Sequence, residues 1–151
     1  MSDDTATTID EAAITEAAEK WIPHLEEAQK MGLNFRQITG GVLRDGDRIG
    51  VDIDFVGEQG FDGGGLEDDK FFDQLMLACW LLCEEPDQIS QAIAGGEKAT
   101  SLALRRWQTE HMFSIRAEVT AMKAFLARWI EHRLEMAVVF AEEGEEESGE
   151  K

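Results

Sequence analysis

Apolar residues recur at three- and four-residue steps from about Ile9 to Met31, through Ile14, Ala17, Ala18, Trp21, Leu25 and Ala28. That spacing predicts a helix with one apolar face over 9–32. Pro23 lacks an amide donor and crowds the preceding turn, so the helix kinks near Trp21 or divides there. Gly32 ends it. From Phe35 to Phe55 the period shortens towards two, and Asp45-Gly46 at the centre suits a two-residue hairpin turn. Pairing Arg44 with Asp47 sets Val42 opposite Ile49, Gly40 opposite Val51 and Ile38 opposite Ile53. These and Phe55 then share one face, while Gln37, Thr39, Arg48, Asp52 and Asp54 share the other, where only Leu43 is apolar. Turn chemistry and alternation agree, which predicts an antiparallel β-hairpin over about 35–56. Five glycines in residues 57–65 predict a mobile loop.

Glu67, Asp68 and Asp69 suit the positive end of a helix dipole. Phe71 to Cys83 is apolar nearly all round and predicts a buried central helix. Pro86 suits the first turn of a short helix ending at Ala94, closed by Gly95-Gly96, and a further helix covers Glu97 to Glu110. The last runs from about Ser114 to Ala141, with Ile115, Val119, Met122, Leu126, Trp129 and Ile130 along one stripe. It would be roughly 40 Å long at 1.5 Å per residue, more than a small domain needs, so part of it projects towards a partner. The expected fold is α+β and mostly helical, with four to five helices and one hairpin. It forms a single domain over 9–141, with 66–141 helical, between a disordered tail (1–8) and an acidic disordered tail (142–151).

A chain of 151 residues supports one core. Its 32 Asp and Glu against 14 Lys and Arg give a formal charge of -18 and a pI near 4.4, so phosphate backbones and anionic membranes would be repelled. No apolar run reaches the roughly 18 residues of a membrane span, and the acidic N-terminus does not read as a signal peptide. Two cysteines are too few for a disulfide scaffold, which fits a reducing cytoplasm.

Cys79 and Cys83 lie one helical turn apart, but no basic neighbour favours a thiolate and no further ligand completes a zinc tetrahedron. They read as core packing. His24, His111 and His132 fall in different elements without metal-ligand spacing. Glu131 and Glu135 share a helix face, and with Arg128 they form an ordinary surface charge ladder. Asp45, Asp47, Asp52, Asp54 and Asp62 lack the calcium-loop pattern. Gly63-Gly64-Gly65 is followed by no Lys-Ser/Thr. The expectation is therefore a protein with no catalytic residues, cofactor or metal.

Charge distribution says more. Residues 97–141 hold seven bases against five acids, while every other stretch is strongly acidic and 142–151 has six acids and one base. Arg105, Arg106, Trp107, Arg116, Lys123 and Trp129 make this the basic, tryptophan-bearing territory. Arg and Trp dominate interface energetics, which makes these six the candidate partner-binding residues; the alternative is that the bases offset acidic neighbours and the tryptophans fill core. The order FFDQLMLACWLLCEEPDQI, then RRWQTEH, then a long helix and a Glu/Gly tail resembles the small phage tail-assembly chaperones over residues 68–151. That resemblance implies a non-enzymatic role in the host cytoplasm, holding an aggregation-prone phage structural component until assembly. The net charge offers a second expectation, an acidic nucleic-acid mimic that inhibits a DNA- or RNA-binding protein.

Overall fold

The computed structural model describes residues 19–21, 23–62 and 68–150, with side chains as far as Val139. Among these residues there are seven helices and no strand. They are α1 (Pro23–Lys30), α2 (Gly40–Ile49), α3 (Ile53–Phe61), α4 (Asp69–Cys83), α5 (Pro86–Ala94), α6 (Glu97–His111) and α7 (Ile115–Glu150). The expected α+β class is thus overturned, and the chain is all-helical over the described residues. The expected tail at 1–8 and the first half of the N-terminal helix lie outside them, whereas α7, expected to end near Ala141, runs on through the expected acidic tail as far as Glu150.

The hairpin fails for a local reason. Thr39 caps α2, its Oγ1 accepting from Val42 N at 3.3 Å, and Asp52 caps α3, its Oδ1 accepting from Phe55 N at 3.1 Å. Each cap satisfies an amide that a helix start leaves free. The left-handed residue is Gly50, at φ 82°, not Gly46 of the Asp-Gly pair. Gly50 N donates to Asp47 O and Val51 N to Gly46 O, which closes α2 in a Schellman motif. Gly46 lies inside the helix, buried where a Cβ would meet Val51 O at 3.0 Å. Val42, Leu43, Gly46 and Ile49 stand at helical spacing, as do Ile53, Val56, Gly57 and Gly60. Over so short a stretch the two periods share members, and the caps decide between them.

The supposed Gly-rich loop is likewise helix as far as Phe61, with Gly57 and Gly60 buried in α3; residues 63–67 lie outside the described ones. Small residues here let α3 approach α7, because a Cβ on Gly57 would overlap the Trp129 indole and one on Gly60 would meet Leu126 at 3.0 Å.

Helix α4 is central, as its all-round apolar sequence predicts. It packs against α2, α3, α6 and α7 and buries Phe71, Leu75, Met76, Ala78, Cys79, Trp80, Leu81 and Leu82. Asp68 Oδ1 caps it by accepting from Lys70 N and Phe71 N. Helix α7 lies on α1, α3 and α4, whereas α5 joins α6 to α2. The segment between α1 and α2 is fastened by two arginines. Arg36 donates to the carbonyls of Leu81 and Leu82, which end α4 without intrahelical donors, and Arg128 Nε donates to Phe35 O at 2.9 Å. Gly32, at φ 85°, ends α1 as expected.

Candidate protein-binding surface

Helix α6 contacts α4 and α5 through one side, burying Thr100 and Trp107. Its opposite side carries Lys98, Leu102, Arg105, Arg106 and Thr109, all exposed. Leu102 precedes the two arginines by three and four residues, so the three side chains share one stripe. The helix ends at His111, Met112 turns inward, and Phe113 and Ser114 face solvent before α7 begins. Ser114 caps α7, its Oγ accepting from Ala117 N at 3.1 Å. That cap places Phe113 just before the helix and Glu118 at its fourth position. A residue at the first place usually packs against an apolar side chain at the second. Glu118 supplies none, and Phe113 stays out, 75% exposed. Ile115 is also 75% exposed and Leu102 61%. Arg116, beside Ile115, is exposed too. Three large apolar side chains and three arginines therefore occupy the outer side of α6 and the α6–α7 corner.

The six expected partner-binding residues divide. Arg105, Arg106 and Arg116 are exposed, and among the described residues none of them forms an ion pair. Lys123 is half-buried. Trp107 and Trp129 are not surface residues, with 4% and 0% exposure, and their place in an interface is corrected. Trp129 sits under Gly57, donates from Nε1 to Asp54 Oδ1 at 3.3 Å and meets the Phe61 ring. Trp107 lies beside the His111 ring. Burial of so large a ring outweighs any value it has at an interface. Ile115, expected in one stripe with Leu126 and Trp129, points outward because the first turns of α7 are covered only on the opposite side, where Ala117 and Ala121 are buried.

The other candidate chemistry stays dispersed. Cys79 is fully buried and Cys83 half-buried. Burial pushes the Cys79 thiol far above its ordinary range, with a smaller push from Cys83. Burial also raises Cys83, against the lowering effect of Arg36 and with Glu84 adding to the rise. Neither thiol is a nucleophile in the folded state. His24 stands edge-on to Trp21, and His111 lies 3.8 Å from Glu110. Among the described residues no group of three or more His, Cys, Asp or Glu could hold a metal ion. Arg128 pairs with Glu131 at 3.0 Å while also holding Phe35 O, so the charge ladder extends into a tertiary contact.

A groove of about 610 Å³ lies between α2, α4, α5 and α6. Ile49, Leu77, Ile93 and Leu104 give it apolar walls, with Asp47, Arg48, Glu97 and Ser101 among its polar lining. Nothing in the alternation or helical periodicity announces it, because it forms where four separate helices diverge. No described helix is long and apolar enough to cross a membrane. No family model, curated protein or solved structure matches the chain.

Proposed function

We propose that this chain is a non-enzymatic protein-binding protein that docks its partner on the outer side of α6 and the α6–α7 corner. The observation that carries the reading is the exposure of Phe113 and Ile115, each 75% free, beside three arginines that make no ion pair among the described residues. Aromatic and aliphatic side chains flanked by Arg are the composition of an interface centre. The resemblance to phage tail-assembly chaperones gives the reading its most specific form, in which the partner is a phage structural component kept soluble until assembly. Pull-down from the source cell tests it. Charge reversal at Arg105, Arg106 and Arg116 should abolish capture while leaving the melting temperature within a degree or two, since exposed charges contribute little to stability.

A second reading is favoured by a separate observation. Asp52, Asp54, Glu58 and Asp62 on and around α3, and Asp68, Asp69 and Asp73 on α4, are exposed on folded elements rather than confined to the chain ends. A rigid carboxylate surface is what an acidic mimic of nucleic acid requires. Its partner would be a basic DNA- or RNA-binding protein, captured equally well after arginine reversal and released steeply by salt. Recovery of such a protein in the same pull-down decides for the mimic.

A further inference from the structure

The α6–α7 corner is basic on a protein whose formal charge is -18. Between residues 98 and 123 the charged side chains are Lys98, Arg105, Arg106, Arg116 and Lys123 against Glu110 and Glu118. Glu110 lies 3.8 Å from His111, and neither glutamate forms an ion pair with the arginines. Selection for solubility or repulsion alone gives no reason to gather around exposed Leu102, Phe113 and Ile115 three arginines that form no ion pair among the described residues. From Leu102 to the end of α6 at His111 the strip is about 13.5 Å long at the helical rise, with Phe113 just beyond, which matches about two and a half turns of a partner helix. Guanidinium groups present forked donors that carboxylates accept two at a time, and adjoining apolar contacts exclude water and strengthen such pairs.

Building on the protein-binding reading of this corner, we infer that its occupant is an acidic amphipathic segment of the partner. Leucine- or phenylalanine-like side chains of that segment cover Leu102, Phe113 and Ile115, and its Asp or Glu side chains pair with Arg105, Arg106 and Arg116. Net charge alone forecasts the opposite, a basic partner. At about 0.15 M salt the Debye length is about 8 Å, so the corner's own charges decide.

Two fluorescent peptides of equal length test this on the full-length protein at 0.15 M salt. Both carry leucines at i, i+3, i+4 and i+7 repeats; the polar positions are Glu in one and Lys in the other. The Glu peptide should bind, and its affinity should fall at least tenfold in Phe113→Ser/Ile115→Ser and at least tenfold in Arg105→Glu/Arg106→Glu/Arg116→Glu. The reversed variant should bind the Lys peptide at least tenfold more tightly than the parent does. Absence of Glu-peptide binding, or binding that neither variant weakens, overturns the inference. In that event the Lys peptide separates the two levels. If Phe113→Ser/Ile115→Ser weakens it tenfold, the corner is a docking site with the wrong partner chemistry assigned; if not, the docking reading falls as well. A full-length variant with Gln at Glu142, Glu143, Glu145, Glu146, Glu147 and Glu150 asks whether the chain's own acidic end is the occupant. Unchanged affinity supports a partner segment, and a tenfold rise overturns it.

Discussion

Replacing Gly57 with alanine tests the packing that holds α3 on α7. A methyl group at this position would overlap Cδ1, Nε1 and Cε2 of Trp129. The indole has nowhere to retreat: it has no exposed surface, its Nε1 is held by Asp54 Oδ1 at 3.3 Å, and the Phe61 ring and Arg133 guanidinium lie 5.9 and 5.8 Å from it. Overpacking a full core costs about 2 kcal/mol, within a range of roughly 1–3. Losing the indole hydrogen bond costs about 1 kcal/mol more. Alanine's helix propensity returns about 1 kcal/mol, so the last two effects cancel. The net destabilisation of about 2 kcal/mol corresponds to a fall of about 4–8 °C in Tm for a chain of this size. Thermal unfolding followed by circular dichroism measures it, with Gly41→Ala as the control. Gly41 also lies in a helix, but its nearest neighbour is Thr39 Oγ1 at 3.7 Å and its φ is not positive. That control should gain about 0.5 kcal/mol through propensity and chain entropy. If Gly57→Ala is as stable as Gly41→Ala, the α3–α7 contact is not as described.

Asp52→Ala should cost about 1 kcal/mol in urea unfolding through loss of the α3 cap, and Gly50→Ala a similar amount through strain at φ 82°; a hairpin over 35–56 would make both nearly silent. Arg36→Met should cost about 2 kcal/mol, because it frees the Leu81 carbonyl at the end of α4 and leaves Leu82 O only the backbone amide of residue 36. A cost below 1 kcal/mol in the same assay would show that the arginine is not a fastener. Cys79 should resist iodoacetamide below pH 9 and react only as fast as the protein opens, and half-buried Cys83 should label slowly, since burial raises both thiols. Rapid labelling in native buffer, before any loss of helical signal, would contradict that burial.

The central helix, the breaks at Gly32 and Gly95-Gly96, the proline start of α5, and an acidic chain with one basic stretch over 97–141 are all legible in the sequence. These follow from local causes, namely apolar residues on every side of one segment, residues that cannot continue a helix, and charge that can be counted. Thr39 and Asp52 were equally local helix signals in the middle segment, but the Asp-Gly pair and an alternation shared with the helical repeat spoke for a hairpin. Gly57 and Gly60 look like linker residues in the sequence, yet they are small because α3 sits close to Leu126 and Trp129 of α7. Close approach is a property of the assembled helices, and no single-segment pattern contains it. The same holds for the candidate site. Arg105, Arg106 and Arg116 were legible as charge, and Phe113 had a readable sign in the missing apolar partner at Glu118. Which tryptophans face inward was not legible, because a helix has several sides and only its neighbours decide which of them meets water. Tertiary packing put Trp107 and Trp129 in the core and left Leu102, Phe113 and Ile115 outside, on the side of α6 turned away from α4 and α5 and at the turn into α7.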